Sequence, residues 1–313
     1  MDSNGAVGVG GKVVNDIIQL ADFKGIESNI LSADFLDKEG LLLLSSHILS
    51  YNEPAKTVPI LAWCAGCFIK PHLKKARIKF PHLFLIGEPG SGKSSSLERI
   101  IVPIVGQNRV YAASQVTQFS MMKESNTSNI IPQCFDEFKP SKMRTKNGNL
   151  HSLYNHFRDA YDWHKGVRGR PDQSQVLYDL MAPIVVAGEE SADEAAIRER
   201  TIELLFSKKD LRDAKCQDAF LWLCKNDHLV RSLGRSLRDT ALRTAPREVS
   251  AWHDDGQSCF SPKLPTRIRS NLCAAYAGLC LVAKLCGLLG LSFDAVFPLD
   301  HEACATQLEV AAR

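Results

Sequence analysis

The chain has 313 residues, 45% hydrophobic and 23% charged, a composition of about two globular domains that excludes a collagen, a disordered tail or a disulfide-stapled miniprotein. Its formal net charge is +3, so any nucleic-acid affinity must come from where the charges sit. Ten irregularly spaced cysteines make no disulfide framework, and no secretory leader opens the chain; both point to a reducing cytoplasm.

Residues Met1 to Lys12 are glycine-rich without apolar periodicity and read as a flexible lead-in. From Val13 to His72 the pattern is helical, with apolar stretches at Ile17 to Phe23, Leu41 to Leu49 and Ile60 to Ile69, broken at Asn52-Glu53-Pro54 and closed by Lys70-Pro71. Residues 1–72 are therefore expected to form a lead-in and a helical preface. A basic run, Lys70 to Lys79, follows without an acid and receives no role. Phe80 to Ile86 is then an apolar strand entering a Gly-rich turn, and the helical spacing of Lys93 to Val102 stops at Pro103 and Gly106. Short apolar runs at Val110 to Ala113, Ile130 to Phe135, Pro183 to Ala187 and Ile202 to Phe206 alternate with helical patterns, predicting an α/β core with a parallel sheet over residues 73–209. From Asp210 the chain returns to helix, a lid over residues 210–313 whose long members are Ala219 to Leu242 and Arg267 to Leu289, with Pro246 to Pro265 a turn-rich loop. Asn271 to Leu291 has membrane-spanning length, but Lys284 and its Ala, Gly and Cys content make it a buried helix and not a membrane span.

Gly87-Glu88-Pro89-Gly90-Ser91-Gly92-Lys93-Ser94, followed by Ser95, fits G-x-x-x-x-G-K-[ST] at every fixed position, with a strand before it and a helix after. Its glycines let successive N–H groups and the helix start face a phosphate chain, Lys93 adds a charge near the β and γ phosphates, and the Ser94 hydroxyl is a Mg²⁺ ligand. At the end of a second strand, Asp136 supplies the partner carboxylate for the metal and Glu137 a base to polarise attacking water, which a small-molecule kinase does not need.

With the loop GEPGSGKSS, the pair Asp136-Glu137, the strand APIVVAGEES and the later AIRERTIELLF, the stretch from Pro59 to Phe206 resembles the AAA+ replicative helicases of bacterial mobile elements and phages, which are similar in turn to the MCM-like and superfamily 3 helicases. The resemblance implies a three-layer P-loop sandwich with a helical N-terminal preface and a C-terminal helical lid, using ATP and Mg²⁺. It implies a sensor at the tip of the fourth strand, where Glu189 departs from the usual Asn or Thr. It also implies an arginine finger acting in a neighbouring subunit, Arg200 first and Arg198 second, and a lid arginine, Arg267. A finger in trans implies a ring, hexameric in this family.

Between Lys139 and Arg170 stand Lys139, Lys142, Arg144, Lys146, Arg158, Lys165, Arg168 and Arg170 against Asp159 and Asp162, a net charge of +6. Such a cluster supplies sequence-independent DNA affinity. Within the insertion at 139–180, Trp163 to Asp172 reads as a hairpin with Gly166 and Gly169 at a tight tip and Val176, Tyr178 and Leu180 alternating on the return strand. The resemblance implies that Lys165, Arg168 and Arg170 grip single-stranded DNA in the pore of the ring. The expected function is a DNA helicase motor core for replication of a phage or mobile element, with a primase or initiator as partner. The alternatives are an ATP-switched initiator or helicase loader, and a signalling or scaffold ATPase. The absence of a winged-helix or primase module after the lid makes a piece of a larger protein the expectation. Cys64 and Cys67 lack a second ligand pair and read as buried residues, as do Cys273, Cys280 and Cys286 at helical spacing.

Overall fold

A computed structural model of the chain describes residues 6–7, 13–14, 33–144 and 149–311. Strands β1 (Ala6–Val7) and β2 (Val13–Val14) pair antiparallel, so the helical pattern does not start at Val13. The rest of the lead-in, the Ile17 to Phe23 stretch and Lys146 lie outside the described residues. Helix α1 (Lys38–Ile48) is capped by Asp37, which accepts the Gly40 N–H at 2.7 Å. Helix α2 (Pro54–Lys75) starts on Pro54, runs through Pro59, and passes the expected stop at Lys70-Pro71. An internal proline costs ~3 kcal/mol. Here every residue from Lys56 to Lys70 is buried, and that burial outweighs the lost bonds.

Strand β3 (His82–Gly87) leads into α3 (Lys93–Ser96), a π turn over Leu97–Ile101 and α4 (Val102–Val105), one continuous helical segment. Pro103 does not stop it, because the wider turn just before makes room for the ring; Gly106, at φ 72°, ends it. Then come β4 (Tyr111–Ala112), α5 (Gln118–Ser125), β5 (Gln133–Phe138), α6 (Pro140–Met143) and α7 (Asn149–Asp162). The hairpin β6 (Lys165–Gly169) and β7 (Gln175–Asp179) precedes β8 (Ile184–Gly188), α8 (Ala195–Arg198) and β9 (Thr201–Phe206). The C-terminal helices are α9 (Ala214–Lys225), α10 (Asp227–Arg243), α11 (Pro246–Cys259), α12 (Thr266–Leu288), α13 (Phe293–Val296) and α14 (His301–Val310). Two expectations change. Ala219 to Leu242 is split at Asn226 into α9 and α10, and the supposed loop Pro246 to Pro265 is mostly α11, with Pro246 at its first position.

The sheet is five-stranded and parallel, in the order β4-β5-β8-β3-β9. Leu83 and Leu85 of β3 face a core shared with α2, α4, α10 and α12, while Phe84 and Ile86 face one shared with α5 and α7. Both faces are covered, which is why β3 and β8 read as unbroken apolar runs. All ten cysteines are free, with Cys64, Cys67, Cys273 and Cys286 buried and Cys280 half-buried.

Helix α12 is long and apolar enough to cross a membrane, but most of it is buried within the molecule. At its crossing with α2, a Cβ on Gly278 would lie 2.0 Å from the Ala62 carbonyl oxygen and 2.7 Å from the Gly66 nitrogen. Backbone cannot yield there, so Gly278→Ala is expected to destabilise by ~3 kcal/mol or more. Gly287→Ala in the same helix meets nothing within 4 Å and should stabilise by about 0.5–1 kcal/mol. Urea midpoints of the two variants check this; equal shifts would disprove the close crossing.

Candidate active site

The loop Gly87 to Ser95 leaves β3 at the carboxyl edge of the sheet, where β3 lies between β8 and β9. Ligands bind at this edge in open α/β sheets. Gly90 and Gly92 have φ 74° and 91°, the left-handed region that glycine enters without strain, and Gly92 caps the following helix. Lys93, 7% exposed, folds into its own loop, donating to the Glu88 carbonyl at 2.8 Å and the Ser91 hydroxyl at 3.3 Å. Burial pushes its ammonium below the ordinary lysine value, against the opposing pull of Asp136, Glu189 and Glu88. Glu88 accepts the Lys208 N–H at 3.0 Å, tying the loop to the turn after β9.

Strand β5 reaches the same edge. Its register with β8 shifts between Phe135 and Phe138, and Glu137 there has φ 59°, an uncommon conformation for a non-glycine residue. Strained backbone of this kind gathers at functional sites. The bulge leaves Asp136 half-buried, its carboxylate accepting the Glu137 N–H at 2.7 Å, and Glu137 exposed. Lys93, Ser94, Asp136, Glu137 and Glu189 line one cleft of about 650 Å³, with Pro89 and Gly90. Its hydroxyl and carboxylate oxygens are the hard donors Mg²⁺ takes, so Ser94 and Asp136 fit the expected metal.

Glu189 follows β8; its N–H donates to the Phe138 carbonyl at 3.0 Å and its carboxylate pairs with Lys139. Lys139, Lys142 and Ser114 also line the cleft, and none was singled out for it from sequence. The two lysines drew notice only as part of the basic segment. A second recess of about 310 Å³ opens beside Gly92 and Ser95, lined by Tyr51, Asn52, Leu211 and Phe220. The turn bearing Leu211 is held to α2 by a buried pair of Lys56 and Asp210. In sequence Asn52 shows only as part of the helix break Asn52-Glu53-Pro54, and Tyr51 carries no signal.

The three arginines lie at the opposite edge, about 20 Å away across a six-residue strand. Arg200 is engaged within its own chain: Nε and Nη2 donate to Asp162 at 3.2 and 2.8 Å, Nη1 to the Ala196 carbonyl at 2.6 Å. Arg198 is exposed and borders a groove of about 570 Å³ along edge strand β9. Arg267, at the start of α12, donates to Glu199 at 2.6 Å, so the structure does not bring it to the phosphate loop of its own chain.

In the hairpin, Lys165 pairs with Asp179 in the strand register and Gly169 with Gln175, so both glycines lie in strands and the tip is Arg170 to Ser174. Gly166 is small because Met122 lies against it. The three DNA candidates do not share a face. Lys165 is 3.5 Å from Asp179, Arg168 lies 3.8 Å over the Phe119 ring on the opposite face, and Arg170 stands exposed at the tip. Elsewhere in the basic segment Lys139, Arg144 and Arg158 pair with Glu189, Asp193 and Glu194. Within the run Lys70 to Lys79, Lys70 is buried against the Met181 carbonyl, and Lys79 covers the Trp163 ring at 3.7 Å. Burial brings the Lys70 ammonium down to about 7.

This strand order, with the glycine-rich loop leaving β3 and helices on both faces, is a three-layer α/β sandwich with a parallel sheet, as the sequence predicts. No protein-family model and no curated protein matches the chain. Among solved structures, the active helicase Cch of SCCmec type IV is similar with a TM-score of 0.55 at 16% identity, covering 84% of this chain and 50% of that one. The chain thus spans half the length of that helicase. An inhibitor-bound JCV helicase (TM-score 0.39, 14% identity, 77% and 65% covered) and the C-terminal region of NrS-1 (TM-score 0.39, 11% identity, 92% and 74% covered) are similar more loosely.

Proposed function

We propose that the chain is the ATP-hydrolysing motor core of a DNA helicase that encircles single-stranded DNA as a hexameric ring and serves replication of a phage or mobile element. The observation that carries this is the meeting of Lys93, Ser94, Asp136 and Glu137 in one cleft. In this reading Gly87 to Ser95 cradle the phosphates of ATP, Lys93 neutralises their charge, Ser94 and Asp136 hold Mg²⁺, and Glu137 takes a proton from water. The recess at Tyr51 and Phe220 receives the base. Arg198, with Arg200 and Arg267 behind it, faces the nucleotide of a neighbouring copy, because both termini of β9 cannot serve one site.

The hairpin is the DNA-holding element, with Arg170 at its tip and Lys165 and Arg168 behind. Single-stranded DNA is expected to raise ATP turnover, and replacing Lys165, Arg168 and Arg170 together by Ala should lower affinity for all sequences alike while flattening the log-salt slope by roughly 0.7 per lost contact. An unchanged slope would place the grip elsewhere. One observation favours a second reading, an ATP-switched loader or a scaffold ATPase: Lys139, Arg144, Arg158 and Lys165 are paired with acids of the same chain. ATP turnover indifferent to DNA would select it.

A further inference from the structure

The loop after β8 clasps the segment after β5 through a row of side chains. Glu189 pairs with Lys139, and Glu190 accepts the Ser141 N–H at 3.0 Å and hydroxyl at 2.6 Å. Asp193 pairs with Arg144 and accepts the Tyr154 hydroxyl at 2.8 Å, and Glu194 accepts from Arg158 at 2.5 Å. Of the four acids, only Glu189 lines the phosphate cleft, together with Lys139 and Lys93. An ionised carboxylate has no proton to offer a phosphate, whereas the Lys139 ammonium has three. The pair holds the Glu189 carboxyl below its ordinary range and the Lys139 ammonium above, so both are charged at neutral pH. Their side chains are 37% and 27% exposed, and an ion pair so open to water is weak. A terminal phosphate, with about two negative charges, is a stronger partner for an ammonium than one carboxylate.

We propose that Lys139 contacts the terminal phosphate of a bound nucleoside triphosphate, leaving Glu189 to do so, whereas a diphosphate leaves the Lys139–Glu189 pair closed. The proposal rests on the nucleotide reading above and gives the cleft its means of telling the two nucleotides apart. The ion pair is the brake on the exchange, so its two members have opposite effects on triphosphate affinity.

Equilibrium binding of AMP-PNP and of ADP, each with Mg²⁺, to the full chain tests this. Lys139→Ala is expected to weaken AMP-PNP about tenfold and ADP less than about twofold. Glu189→Gln, which removes the competitor, is expected to tighten AMP-PNP severalfold, and Lys139→Arg to stay near wild type. Retained ADP binding by Lys139→Ala also reports that the variant is folded. Equal loss of both nucleotides, no loss of either, or weaker AMP-PNP binding by Glu189→Gln would overturn the role of Lys139 alone. Wild-type protein that binds neither nucleotide would overturn the nucleotide reading itself, and this proposal with it.

Discussion

Glu137→Gln is expected to bind ATP and keep it, with turnover reduced roughly 10²- to 10⁴-fold, the range a positioned general base contributes. Its carboxylate is exposed, on a bulge at the cleft, and the amide is isosteric, so neither fold nor binding is disturbed. Lys93→Ala has the opposite profile. It removes the side chain donating to Glu88 and Ser91 in the phosphate loop, so nucleotide affinity is expected to fall roughly 10- to 100-fold. Filter binding of radiolabelled ATP beside steady-state turnover separates the two variants. Turnover by Glu137→Gln within a few-fold of wild type would remove Glu137 from the chemistry.

An arginine that completes a neighbour's site contributes roughly 10³-fold to turnover. Arg198→Ala is expected to show a loss of that order, and mixing it with Lys93→Ala subunits should restore turnover above either variant alone, at interfaces that join an intact loop to an intact finger. Arg200→Ala is a different case. It strips Asp162 of two charged hydrogen bonds, so thermal stability should fall by about 1–3 kcal/mol besides any loss of turnover. If mixed assemblies, shown to contain both subunits, recover nothing with Arg198→Ala but do with Arg200→Ala, the finger is Arg200 and must leave Asp162 to act.

The turn from Gly87 to Ser95 was legible because its backbone demands are local. Left-handed backbone at Gly90 and Gly92 asks for glycine, and a loop between strand and helix asks for a fixed spacing. Strands β3 and β8 were legible for a similar reason, since burial on both faces leaves an unbroken apolar run, whereas β5 runs over Gln133–Phe138 and not Ile130 to Phe135, because its polar Gln133, Asp136 and Glu137 hide it. Helix ends were not. Pro71 and Pro103 looked like stops because proline weakens an isolated helix, whereas all-round burial of α2 and a π turn before Pro103 overrode that local preference. Helix α11 was missed because its inward positions, Val249, His253 and Gly256, include only one apolar side chain of any size and so show no stripe. The basic insertion misled in another way: a charge count is additive along the chain, but Arg144 and Arg158 meet Asp193 and Glu194 only after folding.

The backbone contact at Gly278 joins a helix made early to one made late. Helix α2 ends at Lys75 and α12 begins at Thr266, so a translating ribosome must add about 190 residues before the side of α2 that crosses α12 finds its cover. At 5–20 residues per second that is roughly 10–40 s. Throughout that interval a helix whose residues Lys56 to Lys70 all end inside the molecule lacks one of its native neighbours and leaves that side apolar and open. The sheet, whose last strand ends at Phe206, is complete in synthesis well before then. Maturation of this protein therefore has a late closing step, and a chaperone that shields α2 should raise the yield of native chain more than one that acts on the sheet.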